Sequence, residues 1–106
     1  MGTGDDSNDA LLAAALREYA AGLPARVAVM GELVARGAWG EVRRAAHKLR
    51  GSAAVYGFAA ISAPAAAIED ILLEAADAPD GDARSRIAER LVEAGAEALR
   101  AAPETP

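Results

Sequence analysis

The chain has 106 residues, enough for one compact core and too few for two, with no cysteine and a single histidine. Disulfides and thiolate metal sites are excluded, and no metal site is expected from one imidazole. A net charge of −5 argues against nucleic acid as a partner, because phosphate backbones demand a cationic surface.

Alanine is the best helix former and a poor strand former, so a chain with thirty alanines and one phenylalanine is expected to be all-α, its helices approaching closely. Residues 1–6 and 103–106, rich in glycine, proline and charge, are expected to be disordered. MGTGDDSNDA lacks the basic and then apolar pattern of a signal peptide, which makes a cytoplasmic location the simplest expectation. Ser7 or Asp9 can cap a first helix over about 8–21, with Leu12, Leu16 and Tyr19 on one face. Gly22 is expected to break it, and Pro24 suits the first turn of a second helix over about 24–36, striped by Leu23, Val27, Met30 and Val34 and stopped by Gly37.

A third helix is expected over about 39–56, closed by Gly57, and a fourth over about 58–77, carrying Ile61, Ala65, Ile68 and Leu72. Pro64 requires that fourth helix to bend or to begin near Ser62. DAPDGD, residues 77–82, reads as a turn, with Asp82 capping a fifth helix over about 82–101 that carries Ile87, Leu91, Ala94 and Ala98. Short connections make sequential helices antiparallel neighbours, giving one domain over 1–106: an up-and-down four-helix bundle with an additional N-terminal helix. The uncharged stretch 51–68 holds too much alanine, glycine, serine and proline to be a membrane span.

RRAAHKLRGSAAVYG, residues 43–57, holds the histidine, set among Arg43, Arg44, Lys48 and Arg50 on an otherwise acidic body. At 100° per residue, Val42, Ala45, Leu49, Ala53 and Tyr56 cluster on one side of the third helix, and His47 lies about 160° from their centre. Gly40, Arg43, Arg44, Arg50, Gly51 and Ala54 share its outward side. An outward histidine is not a core side chain, and its neighbours separate it from an idle surface residue. Arg50, three positions on, can reach an anion carried on the ring. Gly51, one turn on, costs roughly 1 kcal/mol against alanine in mid-helix, and clears space beside the ring for another protein's backbone. Ser52 falls near the packed edge, where a bond back to the Lys48 carbonyl and a role in positioning the ring are equally open.

AAHKLRGSAAVYGF resembles the signature of histidine-containing phosphotransfer (HPt) domains: an alanine–histidine pair, then a leucine, a lysine, a glycine and a serine, and later another glycine. The matching positions are Ala46, His47, Leu49, Gly51, Ser52 and Gly57, with Arg50 where the family usually has lysine; IED at residues 68–70 resembles the acidic position of the family's next helix. Helix order matches over about residues 8–101, and the third helix carries the specificity.

The resemblance implies that His47 accepts a phosphoryl group from the aspartyl phosphate of one response-regulator receiver domain and passes it to another. Receiver domains, and a hybrid histidine kinase, are the expected partners. No cofactor is expected beyond Mg²⁺ in the partner's acidic pocket, and with no nucleotide-binding glycine loop the chain is expected to be a phosphocarrier without kinase activity of its own. An imidazole, with an ordinary pKa of about 6.5, offers a free nitrogen near pH 7, so no activating base is needed and no triad partner is expected. On this reading Arg50 stabilises phosphoryl charge, Gly51 gives access, and Arg43, Arg44, Lys48 and Ala54 meet the partner, the cations steering an acidic receiver surface. Tyr56 and Phe58 are assigned to packing. Two other functions share this pattern: a helical adaptor that binds receivers without carrying phosphate, and the phosphoacceptor module of a chemotaxis-type kinase. The methionine start and short tail favour a free-standing module.

Overall fold

Four helices make up the fold: α1 (Thr3–Ala35), α2 (Trp39–Val55), α3 (Ala59–Glu74) and α4 (Gly81–Ala101). The structure, a computed structural model, describes residues 3–104, with side chains from Ser7 onward. Each helix packs on its neighbours in sequence, α4 returns to pack on α1, and the diagonal pairs α1–α3 and α2–α4 do not meet. This is the closed ring of an up-and-down bundle.

The first two expected helices are one. Gly22 does not end the first, and Pro24 lies inside α1. The apolar stripe explains why: Leu16, Tyr19, Leu23, Val27, Met30 and Val34 recur every three or four residues straight across the Gly-Leu-Pro sequence. Leu23, Val27 and Met30 are buried on that stripe, with Leu16, Tyr19 and Val34 half-buried. Packing of a continuous face outweighs the one hydrogen bond that proline removes. There is accordingly no additional N-terminal helix before a four-helix bundle; α1 is itself the first of the four. It begins at Thr3, ahead of the expected caps Ser7 and Asp9. Met1, Gly2, Thr105 and Pro106 lie outside the described residues, while Pro103 and Glu104 follow α4 without helical structure. From Ser7 to Ala15 every side chain is exposed, Leu12 included, because this part of α1 overhangs the bundle.

Glycines end α1 and α2 as expected. Gly37 and Gly57 adopt φ of +67° and +85°. At the second, the Phe58 N–H donates to the Ala53 carbonyl at 2.8 Å and the Gly57 N–H to that of Ala54 at 3.1 Å, a Schellman closure. The same closure ends α3 without a glycine: the Asp77 N–H donates to the Leu72 carbonyl at 2.9 Å, and Ala76 and Asp77 take φ of +50° and +59°. That helix therefore stops at Glu74, three residues short of the expected boundary. It begins at Ala59 and continues through the buried Pro64. The cap of α4 is Asp80 in place of Asp82: its carboxylate accepts the Ala83 N–H at 2.8 Å, while Asp82 pairs with Arg86 one turn along at 3.4 Å.

The core is built from small residues between a few large ones. Leu23, Met30, Val42, Ile61, Ile68, Leu72 and Ile87 are fully buried, and Ala46, Ala53, Ala65, Ala94 and Ala98 fill the gaps between them at zero exposure. No helix among the described residues is long and apolar enough to cross a membrane.

Candidate functional site

The buried face of α2 is Val42, Ala46, Leu49 and Ala53, which turns His47 outward. Tyr56, expected on that face, lies past the helix end and is exposed. Its ring stacks on Tyr19 of α1 at 4.2 Å between centroids, and Phe58 follows at 5.8 Å, so both aromatics pack at the helix junction.

The His47 side chain is 71% exposed, yet it is not free: Nδ1 lies 2.6 Å from Oε2 of Glu69, on α3. Glu69 is the single buried charged residue among the described side chains. Its other oxygen, Oε1, accepts from Nη1 of Arg50 at 3.0 Å. Burial pushes the Glu69 carboxyl upward, but the hydrogen bonds from Arg50 and then His47, with their charges, outweigh it and hold the group below its usual range. Glu69 is therefore ionised near neutral pH and can only accept. The proton of the neutral ring must sit on Nδ1, which leaves the lone pair on Nε2, the nitrogen turned away from Glu69.

The expectation that the imidazole has no triad-like partner is thus corrected: a carboxylate orients it. IED at residues 68–70 was the signal, and what it did not tell was the reach of Glu69 across to α2, which depends on the two helices packing closely. Arg50 likewise holds Glu69, and not open solvent, as its first partner; Asp70 stands 3.8 Å from the same nitrogen.

Beside the ring, Gly51 is exposed, and a Cβ built there would meet nothing within 4 Å. A close helix crossing is therefore not the reason for this glycine. Ser52 is turned to α1: its hydroxyl shares a 2.6 Å hydrogen bond with that of Tyr19, accepts from Arg26 at 3.2 Å, and approaches the Leu49 carbonyl at 3.5 Å. Neither the bond to Lys48 nor one to the ring forms. Arg43 is held by Asp77 through two bonds, at 2.9 and 3.2 Å, which raise the guanidinium pKa and anchor α2 to the turn after α3. Arg44, Lys48 and Ala54 are exposed. Between α1 and α2 runs a groove of about 550 Å³, floored by Val29, Met30, Ala45 and Leu49 and edged by Arg26 and Lys48. Among the described residues no group of three or more His, Cys, Asp or Glu side chains is gathered as for a metal ion.

An exposed imidazole, oriented from one nitrogen and open at the other on a bundle of this topology, is the arrangement to set beside known families. The family model for the Hpt domain matches residues 14–102. The chain belongs to the Hpt domain family. Hpt domains carry out histidine phosphotransfer in two-component signalling and are phosphocarrier modules, not kinases. The match covers all of α2 and α3, the two helices that bring His47, Arg50 and Glu69 together. No curated protein matches the chain, and no solved structure does.

Proposed function

We propose that this Hpt domain relays a phosphoryl group between aspartates of response-regulator receiver domains by way of phosphohistidine at Nε2 of His47. The observation that carries the reading is the 2.6 Å contact from Nδ1 to the Glu69 carboxylate, on a ring that is 71% exposed. In the transfer step the Nε2 lone pair forms a bond to phosphorus as the bond from phosphorus to the donor aspartate's oxygen breaks, and the donor leaves as a carboxylate. The ring gains positive charge as the N–P bond forms, and Glu69 stabilises it from the opposite edge without having to move. No base is required, because the attacking nitrogen carries no proton.

Arg50 contributes charge stabilisation to the phosphoryl oxygens, and Gly51 leaves the approach to Nε2 unobstructed. The receiver docks across Gly51, Ala54 and Lys48 toward the apolar groove between α1 and α2, with Arg44 and Lys48 meeting its acidic surface. Arg43 contributes to the field but is committed to Asp77. In-line positioning and charge account for such a transfer, and the Mg²⁺ that helps neutralise the phosphoryl group is expected to be held by the receiver.

The test is incubation of the protein and its His47→Gln variant with a panel of phosphorylated receivers and with a hybrid histidine kinase. The expected product is an acid-labile, base-stable phosphate on the wild type alone. Receiver binding with no phosphate on His47 would favour an adaptor, and phosphate on the His47→Gln variant would place the acceptor elsewhere.

A further inference from the structure

Arg50 is placed to serve more than one anion. Its Nη1 donates to Glu69 at 3.0 Å and stands 3.8 Å from Oδ1 of Asp70, while Nη2 and Nε make no hydrogen bond among the described residues. The two carboxylates differ in kind. Glu69 is buried and engaged through both oxygens, whereas the Asp70 side chain is 67% exposed and too distant for a hydrogen bond, so it acts on Arg50 by charge alone.

A phosphoryl group on Nε2 would bring about two negative charges to the face that His47 and Arg50 share, three residues apart on α2. With Nη1 held by Glu69, Nη2 and Nε remain as donors for the phosphoryl oxygens, while Asp70 draws on the same guanidinium by charge. We propose that Asp70 is a positioning residue that biases Arg50 toward α3, and thereby sets how far the phosphoryl equilibrium lies toward this protein. This rests on His47 being the acceptor. The chemistry of the transfer is unchanged: the same N–P bond forms as the P–O bond breaks, and Asp70 alters only how completely the arriving charge is met by Arg50. A carrier that holds phosphate too firmly cannot pass it on, and a neighbouring anion competing for Arg50 keeps the equilibrium near balance.

The test uses a receiver domain charged with acetyl phosphate that labels the wild-type protein. The ratio of phosphohistidine to aspartyl phosphate is measured at equilibrium for wild type, Asp70→Asn, Asp70→Glu, Arg50→Gln and the Asp70→Asn/Arg50→Gln double variant, at low salt. Asp70→Asn is expected to raise the ratio about two- to five-fold, the range of an exposed charge pair. Asp70→Glu keeps the charge and should stay at the wild-type ratio, Arg50→Gln should lower it, and the double variant should match Arg50→Gln alone. An unchanged ratio in Asp70→Asn overturns the proposal. So does a rise that persists without Arg50, which would be direct repulsion, or an Asp70→Glu variant that behaves like Asp70→Asn. A wild type that takes up no phosphate from any receiver is a different failure, that of the acceptor assignment.

Discussion

The carboxylate of Glu69 and the imidazole of His47 meet at 2.6 Å across the seam between α3 and α2, one side chain buried and the other in solvent. The buried partner fixes the ring and the exposed one faces the visitor. Removing the fixed partner tests this division. Glu69→Ala is expected to slow phosphoryl uptake about tenfold, a loss of roughly 1.4 kcal/mol, while leaving His47 competent. Glu69→Gln should fall between, since its amide oxygen still accepts from Nδ1 but carries no charge. Nitrogen chemical shifts of the ring check the cause: a proton on Nδ1 in wild type and Glu69→Gln, and mixed tautomers in Glu69→Ala. A wild-type ring protonated on Nε2 alone would contradict the assignment.

The same carboxylate makes stability depend on acidity. Its pKa in the folded protein lies below the ordinary 4.5, because its bonds to Arg50 and His47 outweigh the effect of burial. A lowered folded value means that the unfolded chain binds the proton first. The contribution to stability is full above the ordinary value and is lost as pH falls through the lowered one. The melting-temperature gap between wild type and Glu69→Gln should therefore be present at about pH 5 and narrow below it. A gap that widened as pH fell below 5 would reverse the sign.

Gly51 separates stability from function. With open space around its Cβ position, Gly51→Ala should stabilise the protein by about 1 kcal/mol in urea titration and leave uptake nearly unchanged. Gly51→Gln should remain folded and slow the transfer by crowding the ring. An unchanged time course would remove access as the reason for a glycine there.

Pro24 offers the converse case. The Ala20 carbonyl, on a buried residue, lacks the N–H that a proline cannot supply. Pro24→Ala is expected to raise the urea midpoint, with a gain of about 1–3 kcal/mol. A lower midpoint would mean that the half-buried proline ring contributes more by packing than its missing bond costs.

Much of this molecule can be read from residue spacing. The stripes of α2, α3 and α4 identify Val42, Leu49, Ile61, Ile68, Leu72 and Ile87 as core, and the angle of His47 from that face puts it in solvent. Punctuation misled where tertiary packing overrode it. Gly22 and Pro24 look like a break only if the unbroken stripe beneath them is ignored, and Ala76 and Asp77 end α3 in a conformation that no glycine announces. The site was half legible. Side chains along one helix, such as His47, Arg50 and Gly51, follow from periodicity, whereas Glu69 reaches them across a gap whose width no single helix encodes. Ser52 and Arg43 show the same limit, since each is claimed by a residue far away in the chain, Tyr19 and Asp77.

The alanines that fill the core act as a ruler for that gap. Ala46 and Ala53 of α2 and Ala65 of α3 have no exposure at all, so each added methyl must push a helix outward. A shift of one ångström would stretch a 2.6 Å contact beyond a hydrogen bond and let the imidazole spin. Mutations that never touch the phosphate would then detune its carrier from within, and drift at these plain-looking positions would slow signalling with the histidine itself unchanged.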